Sequence, residues 1–166
     1  FRSDRPIVQQ YGLFIAGLAH GDLGRSLLTE RPVNDDIRDT FAATLELVLA
    51  TIFIAVVLGV PLGVVAAYWK DRWPDNVVRI VAIFSAVTPS FFLALLLQIL
   101  AGYVLHILPT TGRLPPNFDF APVHTGLVLI DSLIAGRPDA FLQGLRYLLL
   151  PAIALAAATM GQMARI

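Results

Sequence analysis

The stretch Leu47–Trp69, LVLATIFIAVVLGVPLGVVAAYW, decides the fold, because none of its 23 residues carries a charge. At a rise of ~1.5 Å per residue a helix of this length covers about 34 Å, enough to cross a hydrocarbon core of about 30 Å. A second stretch, Ile80–Leu108, IVAIFSAVTPSFFLALLLQILAGYVLHIL, is also free of Asp, Glu, Lys and Arg. The link Lys70-Asp71-Arg72-Trp73-Pro74-Asp75-Asn76 is short, polar and turn-like, so the two runs read as an antiparallel hairpin in a membrane. Composition agrees: the chain is 57% hydrophobic and 14% charged, against about 25% charged for soluble domains. A net formal charge of zero removes the electrostatic case for nucleic acid. The absence of cysteine excludes disulfides and thiolate metal sites.

Working outward, residues 1–40 are rich in charge and have interfacial character. Within them Pro6–His20 places Ile7, Tyr11, Phe14 and Leu18 at helical spacing. Asp4 is a candidate cap, and Pro6 suits the first turn. This predicts a small amphipathic helix packed on the membrane surface or on other spans, with a partner-binding helix as the alternative. Gly21 and Gly24 then bracket a turn, Gly21-Asp22-Leu23-Gly24-Arg25-Ser26. On the other side, residues 109–140 scatter Pro109, Pro115, Pro116, Pro122 and Pro138 among glycines. The apolar run Gly126–Ala135 is interrupted by Asp131 and is too short to span, so it is placed at the interface. Tyr147–Ala164, 18 residues without charge, predicts a third crossing. Pro151 predicts a kink there, or the end of an approach helix Asp139–Leu150.

The fold class predicted is all-α, a polytopic transmembrane helical bundle. Its parts are an external segment (1–40), a span (41–69), a short link (70–79), a second span (80–108), an external loop with interfacial helices (109–146) and a third span (147–166). Lys70, Arg72 and Arg79 cluster around the short link, whereas Arg113, Arg137 and Arg146 are spread over a long segment. Short basic loops stay in the cytoplasm, so the link is assigned inside and the flanking segments outside. The chain begins at Phe1 and ends at Arg165-Ile166 without a polar tail, which reads as a fragment of a longer protein.

Chemistry-bearing patterns are sparse. His20, His106 and His124 are far apart and form no paired metal spacing, and there is no G-x-S-x-G or phosphate-binding loop. No catalytic, cofactor or metal residue is assigned. Ala55, Gly59, Gly63 and Ala67 recur at i+4 and form a smooth face on which another helix can pack closely. Pro61 in the same helix frees a carbonyl that neighbours must satisfy. Ser85, Thr88, Ser90 and Gln98 are polar groups inside the second run, either interhelical hydrogen-bonding groups or pathway lining. Glu46 sits at the outer mouth of the first span, an interface residue or one near an entrance. Several spans with internal breaks and few polar residues suit transport better than catalysis. The rival readings are a membrane-embedded enzyme and a non-transporting scaffold.

Several ordered motifs then converge. These are Gln10-Tyr11; Gly21-Asp22-Leu23-Gly24-Arg25-Ser26; Arg31-Pro32-Val33; Ala43-Thr44-Leu45-Glu46-Leu47; Gly59-Val60-Pro61-Leu62-Gly63-Val64; Pro89-Ser90-Phe91-Phe92; Leu108-Pro109 with Gly112-Arg113; and Leu149-Leu150-Pro151-Ala152. Through nearly its whole length the chain resembles the inner-membrane permease subunits of bacterial ABC importers for dipeptides, oligopeptides and related solutes, including nickel and glutathione. The resemblance implies a subunit of six spans, of which this chain holds the second to fourth. It implies as partners a second homologous permease, two cytoplasmic ATPase subunits, an external solute-binding protein and the lipid bilayer, with no nucleic acid and no cofactor. It further implies multi-pass placement in the bacterial inner membrane. Ala42 stands where this family commonly has proline. The resemblance implies that the cytoplasmic loop that meets the ATPase lies past Ile166.

Overall fold

In the computed structural model, residues 6–121 and 124–163 are described; Asp4, the candidate cap, lies outside them, as do Pro122 and the last residues of the third predicted crossing. The described residues form helices and one isolated antiparallel bridge, between Arg25 and Pro32. The chain divides into two compact units, residues 1–42 and 43–166.

The first unit opens with α1, Ile7–Ala19, which starts at Pro6 without a side-chain cap and buries none of its residues. It ends where Gly21, at φ +78°, turns the chain in a region that side chains with a Cβ rarely enter. Gly24 takes the same φ, and its amide donates to Asp22 Oδ1 at 2.9 Å. Ser26 closes the next turn by accepting from the amides of Leu28 and Thr29. Its own amide donates to Arg31 O, and Val33 N donates to Gly24 O. The residues of the Gly21–Ser26 motif are therefore those that two successive tight turns require. Asn34 Nδ2 donates to Gly21 O at 2.6 Å, and Arg31 pairs with Asp36 and Asp39.

Helix α2, Val33–Tyr68, begins directly after Pro32 and runs for 36 residues. Asp35 and Asp36 in its first turn favour the positive end of the helix dipole. Its length of about 54 Å exceeds a hydrocarbon core of about 30 Å, so it begins well before the uncharged stretch. Pro61 lies inside the helix without ending it.

In the second unit, Lys70–Arg72 make the turn with Asp71 at φ +59°. Asp75 Oδ2 accepts from the Asp71 amide at 3.0 Å and from Arg79 at 2.9 Å. Helix α3 then runs over Trp73–Val87, with a proline in its first turn. Here the structure differs from a single straight span over Ile80–Leu108. Pro89 biases Thr88 away from the helical region, and Thr88 is extended at ψ 126°. Helix α4, Ser90–Leu97, restarts from Pro89 and passes into a π-helical segment, Gln98–Val104. The axis bends by 113° between these two halves. His106, at φ +53°, marks the point where the chain turns away.

Helix α5, Val128–Ile134, is short. Helix α6, Pro138–Met163, is continuous through Pro151, so the expected approach helix and third crossing are one element. By length and composition α2 and Pro138–Gly161 can each cross a membrane, and the bent pair can form a third crossing. The core centres on α6, against which α3, α4 and α5 all pack. Its Leu150, Ala152, Ala154, Ala156 and Ala158 are buried. Small side chains permit this close approach in a setting where packing drives helix association. The main packing partner of α3 is thus α6, and not α2 as a simple hairpin would have it. Large apolar residues elsewhere, such as Phe53, Val64, Ile80 and Phe91, face outward, as a lipid-facing surface requires.

Candidate functional site

The largest cluster of buried polar groups in the second unit lies where α2, near Glu46, meets the segment after Leu108. Glu46 is 7% exposed. One of its carboxylate oxygens accepts from Arg113 Nη2 at 2.7 Å, and the other accepts from the Leu129 amide at 2.6 Å. The same Arg113 nitrogen donates to Gly126 O at 2.9 Å. Gly126 in turn donates its amide to Asp131 at 3.1 Å. Asp131, 1% exposed, also accepts from the amides of His124 and Thr125 and from Thr125 Oγ1 at 2.7 Å. Two buried carboxylates therefore organise one loop from opposite sides, with Gly126 shared between them.

Burial pushes the Asp131 carboxyl up, but the Thr125 hydroxyl and the three loop amides outweigh it and hold the pKa below the ordinary carboxylate value. The anion is thus the form that fits. Ser132, fully buried, donates its hydroxyl to Leu129 O at 2.7 Å and completes the first turn of α5. No buried side-chain nitrogen or oxygen among the described residues lacks a hydrogen-bond partner.

Two cavities flank Glu46. The larger, of about 610 Å³, is an apolar groove whose lining includes Leu49, Phe53, Ile130, Phe141 and Leu149. The smaller, of about 190 Å³, is edged by Arg113, Tyr147 and Pro151. A third space, of about 220 Å³, lies among α2, α3 and α6 and reaches Gly63, Ser85 and Met160.

The other residues singled out in sequence are dispersed. Gly59 meets Met160 of α6, whose sulfur lies 3.0 Å from the position of an added Cβ, whereas Gly63 has open space there. Ala55 is half-buried and Ala67 exposed. Ser85 is buried beside Gly161, at the crossing of α3 and α6. Thr88 and Ser90 flank the 113° bend. Gln98 opens the π-helical segment and donates Nε2 to Thr110 O at 2.9 Å, which fastens the returning chain. Gly102 lies directly against Thr110. Gly21, Asp22, Gly24, Arg25 and Ser26 belong to the turns of the first unit.

Sequence reasoning placed Glu46 at a mouth but gave it no partner. The Arg113–Glu46 pair joins residues 67 positions apart, and no periodicity reports such a contact. Asp131 had a local signal: a lone carboxylate in an apolar run, with Thr125 and Gly126 just before it. The described residues hold no group of His, Asp or Glu able to grip a metal. His20 Nδ1 lies 2.8 Å from Ala16 O.

Comparison with known proteins places these features in context. Residues 59–166 match the family described as binding-protein-dependent transport system inner membrane component. A probable D,D-dipeptide transport system permease protein of Escherichia coli K12 is 42% identical over 98% of this chain and 48% of its own. A dipeptide transport system permease protein of Alkalihalophilus pseudofirmus is 36% identical over 98% of this chain and 48% of its own. A di/tripeptide transport system permease protein of Pseudomonas aeruginosa is 37% identical, with the same coverage of both chains. The chain thus spans about half the length of these relatives.

Proposed function

We propose, because this chain belongs to the family of binding-protein-dependent transport system inner membrane components, that the full-length protein is a permease subunit of an ATP-driven importer. It forms half of a pathway for di- or oligopeptides or a related small solute. The observation that carries this reading is the likeness, along 98% of the chain, to relatives named for dipeptide transport. The organisation fits it: apolar helices long enough to cross a membrane, with the polar clusters at their ends.

On this reading the protein is multi-pass in a bacterial inner membrane and hydrolyses no ATP itself. A second homologous permease completes the pathway, two cytoplasmic ATPase subunits drive it, and an external solute-binding protein delivers cargo. The link 70–79 lies on the cytoplasmic side, and 1–40 and 109–146 lie outside. Ser85 and the Ala55, Gly59, Gly63, Ala67 face serve helix packing. Thr88, Ser90 and Gln98 surround the broken helix and are the candidates for contact with the pathway, since non-helical backbone at membrane depth is tolerated where it lines a cavity or is buried in protein.

The test is assembly and response. Full-length protein co-expressed with its neighbouring permease and ATPases is expected to co-purify with both. In lipid nanodiscs the ATPase rate of the assembled complex should rise several-fold when peptide-loaded binding protein is added. A complex that assembles but answers no loaded binding protein, with any peptide, glutathione or nickel, would overturn the importer reading.

A further inference from the structure

The segment after Leu108 is long and rich in proline, and little regular structure holds it. Left to itself such a segment samples many arrangements. Gln98 holds it at Thr110 O and Arg137 at Asp119 O, and two buried carboxylates hold its later part. Inside the segment, Asp131 gathers the His124, Thr125 and Gly126 amides into a rigid turn ahead of α5. Outside it, Glu46 of α2 fastens the segment through Arg113 and the Leu129 amide. Both contacts use a buried carboxylate, where a competing water has little access.

The arrangement is directional. Glu46 sits on a rigid helix, and its two oxygens take one donor from each side of the shared turn. Arg113 spans the gap by donating to Glu46 and to Gly126 O from one nitrogen. Any axial shift or rotation of α2 that moves Glu46 must therefore carry residues 113 and 126–129 with it or break the pair. Arg113 retains 36% side-chain exposure while Glu46 retains 8%, so the pair lies at the border between the buried part and the outer face.

We propose that Glu46 and Arg113 are positioning residues for transport: they couple movement of α2 to the external segment 109–131 and hold that segment in the arrangement that meets the solute-binding protein. This rests on the importer reading above. Neither residue touches cargo in this scheme. Each acts through the segment that it holds.

The test uses the full-length protein in its assembled complex in nanodiscs. Variants E46A, R113A, the double E46A/R113A and the milder E46Q are compared by ATPase stimulation against the concentration of peptide-loaded binding protein. Spin labels at Leu58→Cys on α2 and Asn117→Cys in the segment report their separation by pulsed electron resonance; both sites are exposed. The expected result is a rise of about tenfold or more in half-saturating binding protein for either single alanine variant, because each leaves the other charge unpaired. The double variant should be no worse than the singles, E46Q intermediate, and the maximal rate at saturation held within about twofold, with the distance distribution broadened in step. An unchanged half-saturation with an unchanged distribution would overturn the proposal, as would a loss confined to the maximal rate. If the parent complex shows no stimulation at all, the importer reading fails, and the spin-label distances alone still decide whether the pair holds the segment. Should the alanine variants fail to assemble, E46Q decides by the same two readouts.

Discussion

Gly161, at the crossing of α3 and α6, lies directly against the backbone of α3. A Cβ added there would sit 2.7 Å from Ala86 N and 2.8 Å from Ala82 O. Those are backbone atoms of α3, which cannot swing aside as a side chain can. Gly161→Ala is therefore expected to push α3 and α6 apart at a cost of about 1–3 kcal/mol, the usual price of overpacking. Gly63→Ala is the matched control, because nothing lies within 4 Å of its added Cβ. There the better helix propensity of alanine, worth up to about 1 kcal/mol, is the only term left. Thermal stability of the detergent-solubilised full-length protein, followed by size exclusion, should fall for the first and hold or rise for the second. Equal behaviour of the two would mean that α3 and α6 are not packed backbone to backbone. Asp131 offers a second reading at this scale. Its pKa is lowered in the fold, so its contribution is complete above the ordinary carboxylate range and is lost as pH falls through the lowered value. The stability gap between parent and Asp131→Asn should thus be wide near neutral pH and narrow below about pH 4. A gap independent of pH would show that the anion is not what the turn requires.

At the scale of elements, the bend between α3 and α4 has a local cause. Pro89 supplies no amide and restricts Thr88, so the helix cannot continue through it without strain. Spin labels at Val77 and Tyr103, both exposed, bracket the bend. A straight helix between them would measure about 39 Å, and a sharp bend brings them to roughly half of that. Pro89→Ala should lengthen the distance toward the straight value if proline sets the bend. An unchanged distance would show that packing of α3 and α4 on α6 holds it instead. This element also marks the limit of what could be read from the sequence. The lack of charge over Ile80–Leu108 identified a stretch suited to a membrane, because desolvation cost depends on composition. Direction depends on backbone geometry at Thr88-Pro89 and on the wider turns of Gln98–Val104, and hydropathy is silent about both. The same holds for the core. The i+4 glycine and alanine face on α2 was visible, yet the most buried small residues lie on α6, where Ala152, Ala154, Ala156 and Ala158 alternate with other residues and show no single clean stripe.

For the whole molecule, charge supplies the argument for which end of the bundle faces outward. Lys70, Arg72 and Arg79 crowd the turn between α2 and α3, and moving several cations across a bilayer against the resting potential is unfavourable. On that argument we propose that the Glu46–Arg113 end lies outside, where the long loop can reach a soluble partner. The chain has no cysteine of its own, so within residues 1–166 an introduced thiol reports one position only. Asp71→Cys lies in the turn and Asn117→Cys in the long segment, and both positions are exposed. In intact spheroplasts a membrane-impermeant maleimide should label Asn117→Cys and leave Asp71→Cys unmodified until the membrane is opened. The reverse pattern would invert the bundle and put the Glu46–Arg113 segment beside the ATPases. It would then be out of reach of any external binding protein, and both the docking role and the importer orientation would fail together. Labelling of both thiols in intact cells would instead mean that the bent pair of α3 and Ser90–Val104, which lies between them, does not cross the membrane. The experiment therefore tests the crossing itself, the premise on which the rest of the architecture depends.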